Sequence, residues 1–252
     1  MSSSNKVYLV TGAARGIGLG LVTALLARPS TTVIASTRTP TPALSALPLG
    51  PGSRLIPLQL DSKATPSEAS AALATLSSHG ITHIDFLIAN AGVHGAIKRT
   101  LDLSIAHAAD IFAINSVGPI VLAGAARDLL RAADKPVFAV TSSIVGSSTL
   151  DSEKWNAFPT SPYGTSKAAL NWFVHRLHFE ETWLTSVAIH PGLIMTDMAL
   201  QVDIGDKSWK DFGPISLEEG LSGYLKVVDT ASENREKVGG HLVSYTGEVL
   251  PY

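Results

Sequence analysis

Val10-Thr11-Gly12-Ala13-Ala14-Arg15-Gly16-Ile17-Gly18 follows the apolar run Val7-Tyr8-Leu9-Val10 and opens a helix-like segment from Leu19 to Leu26. Strand, glycine turn and helix in this order make a phosphate cradle. Gly12 can take backbone angles closed to other residues. Gly16 and Gly18 leave out side chains where a pyrophosphate must approach the backbone and where helix must pack on strand. The helix N-terminus adds free N–H groups and the positive end of its dipole. The spacing G-x-x-x-G-x-G differs from the commoner G-x-G-x-x-G and points to one branch of nucleotide-binding proteins. A short motif of this kind also occurs as an ordinary glycine-rich turn, so the rest of the chain has to decide.

Downstream, apolar β-branched runs alternate with helical segments. Residues Val7–Val10, Thr32–Ser36, Leu55–Leu60, Ile84–Ala89, Val137–Thr141, Ser186–His190 and His241–Tyr245 read as strands. Residues Gly16–Ala27, Pro66–Ser78, Ser104–Arg131, Ser161–Glu181 and Leu217–Ala231 read as helices, the third kinked by Gly118-Pro119. Continuous apolar strands alternating with helices imply a parallel sheet covered on both faces, an α/β fold. No linker or composition shift divides the 252 residues, which are expected to form one unit. The irregular segment at 195–214, with Trp209 and Phe212 among polar residues, is either a mobile lid or a plain long loop.

Composition excludes several classes of function. The formal charge is −2 with acids and bases interspersed, so no basic stripe suggests nucleic acid. Without cysteine there is no disulfide framework, thiolate zinc site or cysteine nucleophile. His175 and His178 lie three apart before Glu180 and Glu181, but no further ligand set accompanies them, and no metal is expected. The start, Met1 to Lys6, lacks an apolar signal region, and no apolar run reads as membrane-spanning; a cytoplasmic protein is expected.

Open parallel sheets bind ligands at the carboxyl ends of their strands. Five of the expected strands end there on distinctive residues: Gly12, Leu60-Asp61-Ser62, Ala89-Asn90-Ala91-Gly92, Thr141-Ser142-Ser143 and His190-Pro191-Gly192. Any one could be turn chemistry, but five along one sheet edge mark a site. Tyr163-Gly164-Thr165-Ser166-Lys167 then places a phenol and an ammonium four residues apart on one helix face. A phenol ordinarily titrates near 10, and a neighbouring positive charge lowers that value. The pair is thereby expected to act as general acid toward a ketone or, as phenolate, as base toward an alcohol.

Together these pieces resemble the short-chain dehydrogenase/reductase family. The matching residues are Thr11-Gly12-x-x-x-Gly16-x-Gly18, Asp61, Asn90-Ala91-Gly92, Asn115, Ser143, Tyr163-x-x-x-Lys167 and Pro191-Gly192-x-x-x-Thr196, in family order over roughly residues 6 to 200. The resemblance implies a Rossmann-like doubly wound domain with a seven-stranded parallel sheet. It implies that Tyr163 donates a proton to the substrate oxygen, and that Lys167 lowers the Tyr163 pKa and holds the nicotinamide ribose. Ser143 would hydrogen-bond the substrate carbonyl, and Asn115 would anchor a water that relays protons to Lys167. Cofactor contacts would come from Gly12, Arg15, Gly16, Ile17, Gly18, Asp61, Asn90, Ala91, Gly92, Pro191, Gly192, Ile194 and Thr196, besides Tyr163 and Lys167.

Both Ser142 and Ser143 could be the catalytic serine, and Ser143-Ile144-Val145-Gly146 fits the family pattern Ser-x-x-Gly. About twenty residues separate Ser143 from Tyr163, more than is common in the family. Ser147–Pro162, with Trp155 and Phe158, is expected to be an insertion beside the substrate pocket. The second strand ends Ala35-Ser36-Thr37-Arg38 without the carboxylate that an NAD site places there. Arg38 and Arg15 suit a 2′-phosphate instead, so NADP(H) is the expected cofactor. The stretches around Lys167–Phe173, His178–Glu180, His190–Gly192, Thr196–Met198 and Ser244–Pro251 resemble a fungal norsolorinic acid ketoreductase-like and sniffer-like subgroup. That resemblance implies an NADPH-dependent ketoreductase acting on aromatic or polyketide ketones. The other readings are an NAD(P)+-dependent alcohol dehydrogenase and a non-catalytic NADP-sensing protein. The many large apolar groups between Ser161 and Glu181 predict a homodimer or homotetramer through that helix and Ser104–Arg131.

Overall fold

The computed structural model describes residues 5–95, 97–149, 160–202 and 204–252. All seven expected strands are present: β1 (Lys6–Thr11), β2 (Thr31–Thr37), β3 (Arg54–Gln59), β4 (Phe86–Ala89), β5 (Val137–Thr141), β6 (Thr185–His190) and β7 (Leu242–Ser244). They pair in parallel in the order β3-β2-β1-β4-β5-β6-β7. The order reverses between β1 and β4, which is the switch point where such sheets open a ligand crevice.

The central strands are largely apolar because both faces are covered, whereas the edge strand β3 alternates buried Ile56 and Leu58 with exposed positions. On β1, Tyr8 and Val10 face one layer, where Leu21 and Leu25 of α1 (Gly16–Leu26) meet Tyr224 and Val228 near the C-terminal end of the chain. Val7 and Leu9 face the other layer, against Leu73 of α2 (Pro66–Ala74) and residues that follow β4 and β5. Each fully buried Leu or Val contributes on the order of 1.5–3 kcal/mol to this packing. A capping box between Thr65 and Glu68 starts α2.

The segment expected as one kinked helix from Ser104 to Arg131 is divided. It forms α3 (Ile105–Phe112), a π-helical turn (Ala113–Val117), α4 (Gly118–Ala125) and a short helix, Arg127–Arg131. Pro119 has no N–H to offer the carbonyl of Asn115 four residues earlier, and the widened turn lies there. The run Ile105–Ala125, 21 residues with mean hydropathy 1.5, is by length and composition apolar enough to cross a membrane. This corrects the sequence expectation that no run is. In the fold it belongs to the layer over the sheet. Leu122 and Ala123 join the core, and Ser116 Oγ donates to the Ser166 carbonyl at 2.7 Å.

Two helices complete the layers, α5 (Ser161–Glu180) and α6 (Leu217–Thr230). The buried stripe of α5 is Ser166, Lys167, Leu170, Asn171, Val174 and His178. Trp172 and Phe179 on the same helix are exposed, 59% and 60% of their surface being accessible. The expected insertion over 147–162, including Trp155 and Phe158, falls mostly outside the described residues.

Candidate active site

Thr11 closes β1 at the switch point. Its hydroxyl accepts from the backbone N–H groups of Asn90 and Ala91, both at 3.0 Å. Asn90 Nδ2 returns a bond to the Thr11 carbonyl at 3.0 Å. Thr141, the last residue of β5, donates from Oγ1 to Asn90 Oδ1 at 3.1 Å and shares a hydrogen bond with the Tyr224 hydroxyl at 3.0 Å. The carboxyl ends of β1 and β4 are thus tied side chain to backbone, and those of β4 and β5 side chain to side chain. Thr141 was legible as a strand-end residue, but Tyr224 was not: it is one aromatic residue in the middle of an amphipathic helix.

The glycine turn has the geometry its sequence predicts. Gly12 stands at φ +67°, and a Cβ there would lie 2.9 Å from Ala91 Cα. A Cβ on Gly18 would come within 2.2 Å of the Gly12 carbonyl oxygen. Arg15 occupies the N-cap of α1 without a capping side-chain bond, and no acid stands in the first turn. The N-terminal N–H groups of α1 therefore have no side-chain acceptor at the cap, as an anion site requires.

One cleft of about 650 Å³ runs along this edge and gathers nearly every residue expected from the sequence. Its lining includes Gly12, Arg15, Gly16, Ile17, Gly18, Arg38, Asp61, Asn90, Ala91, Gly92, Ser143, Tyr163, Lys167, Pro191, Gly192, Ile194 and Thr196. Arg38 is exposed just past β2, and no acidic residue from that strand end lines the cleft. The uncapped helix end, the close-packed glycines and two guanidinium groups fit NADP(H). Among the described residues no group of three or more His, Asp or Glu could hold a metal ion.

Asn115 does not line the cleft. It is buried in the π-helical turn, where Oδ1 accepts from Val93 N–H at 2.9 Å and Nδ2 donates to the Val93 carbonyl at 2.8 Å and to Ser166 Oγ at 3.0 Å. Its side chain holds the turn after β4 in place. A Cβ on Gly92 would lie 3.2 Å from Asn115 Oδ1 and 3.6 Å from Lys167 Nζ, so a side chain there would crowd both groups. The choice between serines is also structural. Ser142 is buried and donates to Asn171 Oδ1 at 2.5 Å, whereas Ser143 lines the cleft and hydrogen-bonds the Tyr163 phenol.

Burial dominates the electrostatics at the pair. Burial pushes the Tyr163 phenol up to about 12, and the Ser143 hydroxyl opposes this only in part. Burial also pulls the Lys167 ammonium down to about 8. Lys167 Nζ lies 5.6 Å from the phenol ring centroid. Loss of solvation is the dominant influence on both groups, and the phenol keeps its proton through the neutral range. The imidazole of His94 stacks on the same phenol, with centroids 4.8 Å apart and planes inclined by 18°. The sequence reading missed His94, although it follows Asn90-Ala91-Gly92-Val93 directly.

The segment at 195–214 leaves β6 past Gly192 and is closed at its base. Ile194 and Ile215 form an isolated bridge, and Ile215 N–H donates to the Leu193 carbonyl at 2.9 Å. Thr196 caps a short helical turn, Asp197–Leu200. Met198, Val202 and Trp209 line the cleft. Asp197 pairs with Arg15 across the cleft at 3.8 Å, both side chains being exposed.

A nucleotide cradle that ends on a phenol, an ammonium and a serine defines an oxidoreductase site. The chain belongs to the short chain dehydrogenase family, whose family model matches residues 6–206. It is 36% identical over 255 residues to a norsolorinic acid ketoreductase of Aspergillus parasiticus, covering 98% of this chain and 91% of that protein. Its structure is similar to the NADPH-bound carbonyl reductase from chicken fatty liver, with a TM-score of 0.81, 26% identity and 99% of both chains covered. It is also similar to a carbonyl reductase from Pseudomonas aeruginosa in complex with NADP. There the TM-score is 0.77 and the identity 30%, over 99% of this chain and 100% of that one.

Proposed function

We propose that this protein is an NADPH-dependent ketoreductase for a hydrophobic, aromatic or polyketide-like ketone, with Tyr163 as the proton donor. The observation that carries the reading is the Tyr163 phenol, hydrogen-bonded by Ser143 and lining one cleft with Lys167 and the glycine cradle. A phenol that keeps its proton is suited to give it to an oxygen that is becoming an alkoxide. NADPH, when bound, supplies the hydride. Ser143 donates a hydrogen bond to the same carbonyl oxygen, and Lys167 orients the ribose. Asn115 anchors a water that relays protons to Lys167. Arg38 and Arg15 take the 2′-phosphate, and Asp61 the adenine.

Apolar lining by Ile144, Val145, Leu193, Met198, Val202 and Trp209 supports a hydrophobic substrate. The relatives named as ketoreductases and carbonyl reductases support the reaction class. Within this reading residues 1–252 work as one catalytic unit and the segment at 195–214 is its lid. The protein is cytoplasmic, binds neither membrane nor nucleic acid, and forms a homodimer or homotetramer through α5 and the segment at 104–131, with Trp172 and Phe179 at the contact.

The test follows NADPH absorbance with a panel of aryl and alkyl ketones, and NADP+ reduction with the matching alcohols. Turnover of aryl ketones is expected. Turnover of alcohols alone at neutral pH would favour the dehydrogenase, and tight NADPH binding with no turnover on either panel would favour a sensor.

A further inference from the structure

His94 stands in the turn that leaves β4, and its imidazole lies nearly parallel to the Tyr163 phenol at 4.8 Å. Tyr163 is the third residue of α5, in the first turn, where a helix gives a side chain the least support from its own preceding backbone. Support has to come from outside the helix, and the turn after β4 is anchored to supply it. Before His94, Val93 is held at both its N–H and its carbonyl by Asn115. After it, Lys98 pairs with Thr160 in a parallel bridge, and the hydroxyls of Thr100 and Ser161 are 2.6 Å apart. The segment carrying the imidazole is thus fastened to the π-helical turn and to the start of α5, the helix that carries the phenol. His94 itself lines the cleft and is half-buried.

We propose that His94 is a positioning residue, whose ring holds the Tyr163 hydroxyl toward Ser143 and the reacting carbonyl by stacking on the phenol. This rests on the reading of Tyr163 as proton donor. Burial lowers the His94 pKa, so the ring is a neutral aromatic surface at neutral pH. Offset stacking is the arrangement in which two such rings attract. The imidazole gives neither proton nor hydride; it restricts the rotation of the phenol about its Cα–Cβ and Cβ–Cγ bonds.

The experiment compares His94→Phe, which keeps a flat ring, with His94→Leu and His94→Ala, which do not. Leu and Ala are expected to lower kcat roughly 3- to 10-fold, the size of effect that one aromatic stack carries. KM for NADPH is expected to stay unchanged, and the deuterium isotope effect with 4-deuterated NADPH to rise. Phe is expected to stay within about twofold of the parent. Parent-like kcat in His94→Ala would overturn the proposal. So would His94→Phe as slow as His94→Ala, because the imidazole nitrogen would then be acting chemically. A second readout needs no activity. The Tyr163 ring resonances, identified by their loss in Tyr163→Phe, should shift in His94→Leu, and an unmoved signal would overturn the stack. Absence of ketone reduction in the parent protein would overturn the ketoreductase reading, and the resonance measurement would still decide the stack.

Discussion

Lys167 Nζ donates to the main-chain carbonyl of Thr141 at 2.7 Å. The ammonium is therefore aimed by the carboxyl end of β5 and not by the phenol four residues away on its own helix. Thr141 in turn bonds Asn90 and Tyr224 through its hydroxyl, so the position of Lys167 is set by three neighbouring elements, β4, β5 and α6. Loss of water from this buried corner explains why the phenol sits at about 12 and the ammonium at about 8. Both shifts favour the uncharged forms.

Tyr163→Phe removes the hydroxyl and keeps the ring. General acid catalysis is worth roughly two to four orders of magnitude, and a kcat loss of that size is expected with NADPH affinity nearly intact. Single-turnover kinetics and a fluorescence titration of NADPH check it. Turnover within tenfold of the parent would remove Tyr163 as the acid.

Arg38→Ala takes a guanidinium from the cleft wall past β2. NADPH binding should weaken by about 1.5–3 kcal/mol, a factor of ten or more, while NADH binding changes little. Titration of both cofactors decides it, equal losses showing that Arg38 does not read the 2′-phosphate.

The rate of reduction should depend on alkaline pH through Lys167 before Tyr163. Lys167 loses its proton near 8, and the phenol holds its own to about 12. We expect kcat to fall as pH rises through about 8, with a slope of one proton on a logarithmic plot. A profile flat to pH 10 would show that the Lys167 charge is not needed in the chemical step.

Acid should destabilise the fold through two buried histidines. Burial holds His178 and His190 down to about 4, against an ordinary value of 6.5. Unfolded, each takes up a proton near 6.5; folded, neither does until about 4. The unfolded chain thus binds more protons in between, and stability complete above 6.5 is lost as pH falls toward 4. Melting temperature should drop between pH 7.5 and 5, and the drop should shrink in a His178→Asn, His190→Asn variant. Equal melting temperatures for the parent at both pH values would contradict this.

Trp172 and Phe179 expose large apolar surfaces on α5, and such patches commonly mark contacts between chains. Light scattering after size exclusion should give a dimer or tetramer. A Trp172→Glu, Phe179→Glu variant should run at the mass of one chain. A parent protein already at that mass would reject the interface.

The sequence by itself determined what depends on local pattern. Seven apolar runs separated by helical ones specify a parallel sheet because strands covered on both faces need no polar alternation. The glycine spacing after β1 announced the cradle because a Cβ would lie 2.9 Å from Ala91 Cα at Gly12, which stands at φ +67°, and 2.2 Å from the Gly12 carbonyl oxygen at Gly18. Four-residue spacing brought Tyr163 and Lys167 to one helix face. Tertiary structure decided everything that depends on solvent and on neighbours distant in sequence. It turned Ser142 inward to Asn171 and Ser143 toward the phenol. It withdrew the Asn115 side chain from the cleft to hold Val93, and it stacked His94 on Tyr163. It also set the burial that raises the phenol's pKa, because desolvation is a property of the packed interior and no spacing along the chain records it.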